Sequence, residues 1–138
     1  MADAGPYRKP DAFTLKVLQP VLASLGFAPT LTVRGRSSGR RYTFPVLPLD
    51  YQGKRYVVAP RGNTQWARNL RAVGEAELKD GRQRTPMRAT EIPAGERAPI
   101  VDAYVRQYGK KYGSFVAREF AAMPDAAHHP VFLLEKIP

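Results

Sequence analysis

Two short stretches of this chain concentrate groups that bind anions. The first is Gly35-Arg36-Ser37-Ser38-Gly39-Arg40-Arg41. Its glycines permit tight turns that expose amide protons, and two hydroxyls and three guanidinium groups surround them. Arginine's planar fork pairs with phosphate and carboxylate oxygens two at a time. The stretch reads as a phosphate-recognising hairpin tip, with a solvated basic turn as the plainer alternative.

The second stretch is Pro60-Arg61-Gly62-Asn63-Thr64-Gln65-Trp66-Ala67-Arg68-Asn69-Leu70. A glycine-bearing loop runs into a helix N-terminus, where the dipole and free amides favour anions. Trp66 and Asn69 stand three apart, so a helix turns both toward one cleft. Trp66 is the only tryptophan, and a lone tryptophan also serves as a core anchor. A third group is Tyr104, Tyr108 and Tyr112, spaced four apart with Phe115 beyond. The first two share a helix face, and Gly109 is expected to break the helix before Tyr112. Core packing with hydroxyls reaching water competes with a role over a substrate.

Other chemistries lack their parts. The chain has no cysteine, which excludes disulfides, thiolate metal sites and cysteine nucleophiles. His128 and His129 are the only histidines, too few for the three or four ligands of a metal site, so none is expected. Asp11, Asp50 and Asp80 read as caps or turn residues rather than as a paired acid and base.

The elements that must position these groups alternate in type. Residues 1–10 read as a mobile tail, and 11–138 as one domain. Asp11 caps an expected helix over 12–25, with Leu15, Leu18, Leu22 and Leu25 on one face and Pro20 kinking it. That stripe suits core packing and also allows peripheral membrane contact. Strands are expected over 30–34, 42–49, 55–60, 75–79, 82–92 and 131–134. Pro45 and Pro48 force an edge position or a break in the second of these. Asp80-Gly81 is the strongest hairpin signal. A helix over 65–73 has Thr64 as its N-cap and Gly74 at its C-terminus, and further helices cover 96–108 and 114–122. About six strands without a repeating strand-helix-strand order exclude a doubly wound parallel sheet. The fold expected is mainly β with α (α+β): an antiparallel sheet, closed or half-closed, with short helices at its flanks.

Charge narrows the partner. The chain carries 22 basic and 12 acidic residues in 138, a net +10, which attracts nucleic acid, an anionic membrane or a phosphorylated small molecule. No apolar run is long enough to span a bilayer, and a cytoplasmic location is expected.

Taken together, the turn and the Trp66-x-x-Asn69-Leu70 helix start resemble the deazaflavin (F420)-dependent nitroreductase family of split-barrel oxidoreductases, whose fold is FMN-binding-like. Leu31-Thr32, the Pro45–Leu49 segment, the Tyr56-Val57-Val58-Ala59 strand and the proline-led apolar strand from Pro130 follow that family's order. The resemblance implies that Arg36, Ser37, Ser38, Gly39, Arg40 and Arg41 hold the phosphate and acidic tail of coenzyme F420. It implies that Pro60, Arg61, Gly62, Trp66 and Asn69 border tail and ring, and that Pro45, Val46, Leu47 and Pro48 lie against the deazaflavin plane. By the same analogy Tyr104, Tyr108 or Tyr112 closes the substrate side. Two departures, Gly62 alone in the loop and Ser37 where a lysine is common, leave room for FMN as an alternative cofactor. The activity implied is hydride transfer to a small electron-poor acceptor such as a quinone, nitroaromatic or enone. A non-catalytic carrier of cofactor or lipid is the first alternative. The second is a basic small-barrel nucleic-acid binder, against which stands the lack of an exposed aromatic row on the strands, so no nucleic acid is expected. A monomer and a homodimer are both compatible with the sequence.

Overall fold

The structure, a computed structural model, describes residues 29–112 and 114–138. The expected tail and the helix over 12–25 lie outside the described residues, as do the side chains of Tyr112 and Phe115.

Seven strands form one sheet: β1 (Thr30–Arg34), β2 (Arg41–Pro45), β3 (Leu49–Tyr51), β4 (Lys54–Val58), β5 (Glu75–Asp80), β6 (Gln83–Glu91) and β7 (Val131–Lys136). Their order is β2-β1-β5-β6-β7-β4-β3, and every pairing is antiparallel. Among the described residues three α-helices accompany them: α1 (Gln65–Val73), α2 (Ala98–Tyr112) and α3 (Ser114–Ala122).

The two outermost strands, β2 and β3, are neighbours in sequence, and this dictates the sheet's shape. Laid flat at about 4.8 Å per strand, the sheet would hold them about 29 Å apart. The connection from Pro45 to Leu49 spans at most about 14 Å at full extension. The sheet therefore rolls into a barrel that stays open along a seam between β2 and β3. Pro45 and Pro48 account for the opening: neither can donate to a ladder, so the expected strand over 42–49 splits into two edge strands. That split also raises the expected six strands to seven.

Side-chain alternation sorts the residues into two cores. Leu31, Val33, Leu78, Met87, Val57, Phe132 and Leu134 fill one. The opposite faces of β4 and β7 give Tyr56, Val58 and Val131 to the second, where α2 contributes Ile100, Val101, Tyr104 and Tyr108. β4 and β7 are thus buried on both sides, which is why Val131 to Leu134 reads as an unbroken apolar run. On β1, β2 and β6 the other face carries Thr32, Arg34, Arg41, Thr43, Arg84 and Arg88, polar residues that meet solvent.

Two local expectations change. α2 runs through Gly109 to Tyr112. One glycine inside a helix costs only about 1 kcal/mol, and a Cβ at Gly109 would meet open space. The β5–β6 hairpin pairs Asp80 with Gln83, so its loop is Gly81-Arg82 rather than Asp80-Gly81, with Gly81 at φ 65°. The β3–β4 hairpin turns on Gln52-Gly53, both at positive φ (51° and 76°), the signature of a type I′ turn. Gln52 bears that conformation at a cost of roughly 1 kcal/mol. Gln52→Asn, which favours the same turn, should raise stability by about 0.5 kcal/mol in chemical denaturation.

Candidate functional site

The turn after β1, the inner face of β2 and the start of α1 enclose a groove of about 720 Å³. Gly35, Arg36, Ser37 and Ser38 line it from the turn, Tyr42 and Phe44 from β2, Arg61 from the preceding loop, and Thr64, Gln65, Trp66 and Asn69 from the helix.

The turn is closed by its own backbone. Gly35 N donates to Arg40 O at 2.7 Å and Gly39 N to Gly35 O at 3.0 Å. Arg40 N donates to Ser38 Oγ at 3.2 Å. Gly39 sits at φ 74°, where a side chain is strained. Gly35 is needed for a different reason: a Cβ there would lie 2.9 Å from Ser38 Oγ and 3.1 Å from Tyr42 Cε2.

Helix α1 begins where the sequence places it. Thr64 Oγ1 accepts from Ala67 N at 3.4 Å, and Gly74 ends the helix at φ 78°. Gln65 and Asn69, four apart, share a face toward the turn. Asn69 Oδ1 accepts from Arg36 N at 3.1 Å and from Arg36 Nη1 at 2.7 Å, and Arg36 Nη1 also donates to Gln65 Oε1 at 3.1 Å. The two anion-binding stretches are therefore one structural unit, joined by a nearly buried asparagine.

The loop over 59–64 is tied down from several directions. His129 is fully buried, its Nδ1 3.0 Å from Ala59 O and its Nε2 2.6 Å from Met123 O. Arg61 pairs with Glu119 on α3 at 2.9 Å. Asn63 accepts from Arg68 Nε through its carbonyl and from Arg71 Nη1 through Oδ1, both at 3.1 Å. Arg71 in turn grips Glu91 with two bonds of 2.7 and 2.8 Å, and Arg97 reaches the same carboxylate at 3.1 Å. Burial lowers the Arg97 pKa, with Glu91 acting in the opposite direction. Such a fixed loop presents its groove residues in one arrangement.

Of the residues singled out in the sequence, Arg36, Ser37, Ser38, Arg61, Trp66 and Asn69 line the groove. Gly39 and Arg40 complete the turn without lining it, and Gly62, at φ 90°, shapes the loop after Pro60. Pro45, Val46, Leu47 and Pro48 form the crossing at the seam rather than a groove wall, with Val46 in the inner core. Arg41 pairs directly opposite Arg34 on the solvent face of the hairpin and lines a separate depression of about 220 Å³ with Glu75 and Glu77. Strand alternation is the reason: Arg41 and Tyr42 point to opposite faces. Tyr104 and Tyr108 belong to the outer core, 4% and 8% exposed, their rings 5.1 Å apart. Tyr108 donates to the carbonyl of Pro48, so it ties α2 to the seam.

Sequence reasoning missed Tyr42 and Phe44 as groove residues. Their signal was the two-residue spacing on a strand that leaves the anion-binding turn. Phe44 stacks on Trp66 with centroids 5.1 Å apart and planes at 28°, and Trp66 leans on Phe132 at 6.2 Å.

A model of the F420H2-dependent quinone reductase family matches residues 21–124, a span that takes in the turn, the loop and α1. The chain belongs to the F420H2-dependent quinone reductase family. It is accordingly an F420-dependent oxidoreductase with the split-barrel fold. Among solved structures, an F420H2-dependent reductase (FDR-A) shares 23% identity at a TM-score of 0.58, covering 78% of this chain and 92% of that one. A structure described as a domain-swapped dimer shares 21% identity at a TM-score of 0.57, covering 90% and 100%. HutZ, the heme storage protein from Vibrio cholerae, shares 14% at a TM-score of 0.56, covering 88% and 91%. These likenesses carry the fold of the F420-dependent reductase, not its site. No curated protein matches the sequence.

Proposed function

We propose that the groove between the 35–40 turn and α1 holds F420, and that this reductase serves small electron-poor acceptors of the quinone, nitroaromatic or enone class. One observation carries the reading: a single groove combines the guanidinium and hydroxyls of Arg36, Ser37 and Ser38 with the stacked pair Phe44 and Trp66. F420 asks for both, a phosphate and acidic tail at one end and a planar deazaflavin at the other. Bound F420H2 supplies the hydride.

Arg36, Ser37 and Ser38 hold the phosphate in this reading, with the helix N-terminus at Thr64 and Gln65 adding its dipole. Asn69 orients Arg36 through the two hydrogen bonds it accepts. Trp66 and Phe44 exclude water beside the ring, and the tied-down 59–64 loop keeps Arg61 in the wall. Preorganisation of this kind is what a hydride donor and acceptor require of the protein.

Titrating the purified protein with F420, FMN and FAD in parallel tests the reading. Tight F420 binding that is lost in Trp66→Ala is expected. Preference for FMN would shift the cofactor, and binding of none of the three would sink the proposal. Arg41→Ala, on the other face of the hairpin, should leave F420 affinity within about twofold, since a distant exposed charge is largely screened. A homodimer is the assembly we favour, supported by the domain-swapped neighbour; light scattering of the purified protein reads it directly.

A further inference from the structure

Tyr42 stands out among the described residues. It and Val73 are the only large hydrophobics that are exposed, Tyr42 at 46%. Yet it lies on the inner face of the β1–β2 hairpin. Its cross-strand partner is the fully buried Val33, and Phe44, on the same face, stands opposite the fully buried Leu31.

The ring is seated as well as exposed. One edge rests on Gly35, the position where a Cβ would come within 3.1 Å of Tyr42 Cε2. Further along the groove, Phe44 stacks on Trp66, and Trp66 leans on the fully buried Phe132. Both Tyr42 and this backed aromatic pair line the same groove. A bulky ring kept half in water on an otherwise apolar face, with a glycine beneath it, is the arrangement of a wall awaiting a partner.

We infer that Tyr42 is a stacking platform and specificity residue of the groove, taking a planar, electron-poor conjugated ring. The inference rests on reading the groove as the ligand site. The chemistry follows from the quadrupole of the phenol ring: an electron-rich face pairs well with an electron-poor one in offset stacking. Two rings answer that description, the deazaflavin of F420 and the ring of a quinone acceptor. Both can be offered separately.

Trp66, the only tryptophan, reports binding through its intrinsic fluorescence without turnover. One arm titrates the native protein and its variants with F420, the other with menadione. Tyr42→Phe should keep both affinities within about twofold, because the ring is retained. Tyr42→Leu should weaken one of the two ligands by about tenfold, the size of a lost aromatic stack. Loss in the F420 arm assigns the platform to the cofactor, and loss in the menadione arm to the acceptor. Gly35→Ala should weaken the same ligand, since the added methyl displaces the Tyr42 ring. Tyr42→Leu binding both ligands as the native protein does would overturn the inference. If F420 binding is then still weakened by Arg36→Ala, which keeps the Trp66 reporter, the groove reading stands without it. Native protein that binds neither compound defeats both.

Discussion

Arg36→Ala is expected to weaken F420 binding by one to two orders of magnitude while leaving the fold almost unchanged. A hydrogen bond to a charged group contributes about 1.5–3 kcal/mol, which corresponds to that range at 1.4 kcal/mol per decade. The backbone bond from Arg36 N to Asn69 Oδ1 survives the substitution, so the turn stays docked on α1. Arg36 is itself exposed, and surface substitutions change stability by only about 0.5 kcal/mol. Asn69→Leu is the informative contrast. It removes the acceptor for both Arg36 bonds, so it should lower stability by about 1–3 kcal/mol as well as binding. Fluorescence titration and chemical denaturation of the two variants separate the effects. An Arg36→Ala protein that binds F420 normally would refute the assignment of the groove.

Glu119→Ala carries the largest expected loss of stability. Glu119 is 4% exposed and pairs at 2.9 Å with Arg61, itself only 14% exposed. Removing one partner of a buried pair strands the other charge, at a cost of about 3–5 kcal/mol. For a domain of this size that is a fall in Tm on the order of 10 °C. Replacing both residues by Met should recover most of the loss, because no charge is then left buried. Thermal denaturation of the single and double variants checks this, and a single variant as stable as the native protein would show the pair to be solvent-screened.

Much of this architecture was legible because its signals are local. Thr64 and Gly74 bound α1 through a side-chain cap and a left-handed residue, chemistry that sequence displays directly. Pro45 and Pro48 marked an edge or a break, and they produce both. The turn and the loop into the helix start were readable as anion-binding stretches, and nine of their residues line one groove. What sequence could not supply was sidedness. Arg41 looks as suitable as Arg36, but it is out of the groove because pleating turns it to the solvent face beside Arg34. Tyr104 and Tyr108 looked suited to a substrate pocket, yet α2 packs against the outside of β4 and β7 and buries both. Glu119 and His129 reach the 59–64 loop across separations of 58 and 70 residues, which no periodicity announces.

The place of β7 bears on how the protein is made. Val131–Lys136 lies between β6 and β4, two strands finished far earlier in the chain. Until those residues leave the ribosome, β6 and β4 each keep an open hydrogen-bonding edge, and Phe132 and Leu134 are missing from the inner core. Nascent chains ending before Val131 cannot close the sheet, and open strand edges are what aggregation recruits. An identical strand from a neighbouring copy has the same pairing pattern, but the chain's own strand, tethered close by, has the advantage of effective concentration. Crowded synthesis, which raises the concentration of neighbouring copies, should therefore raise the share of exchanged strands.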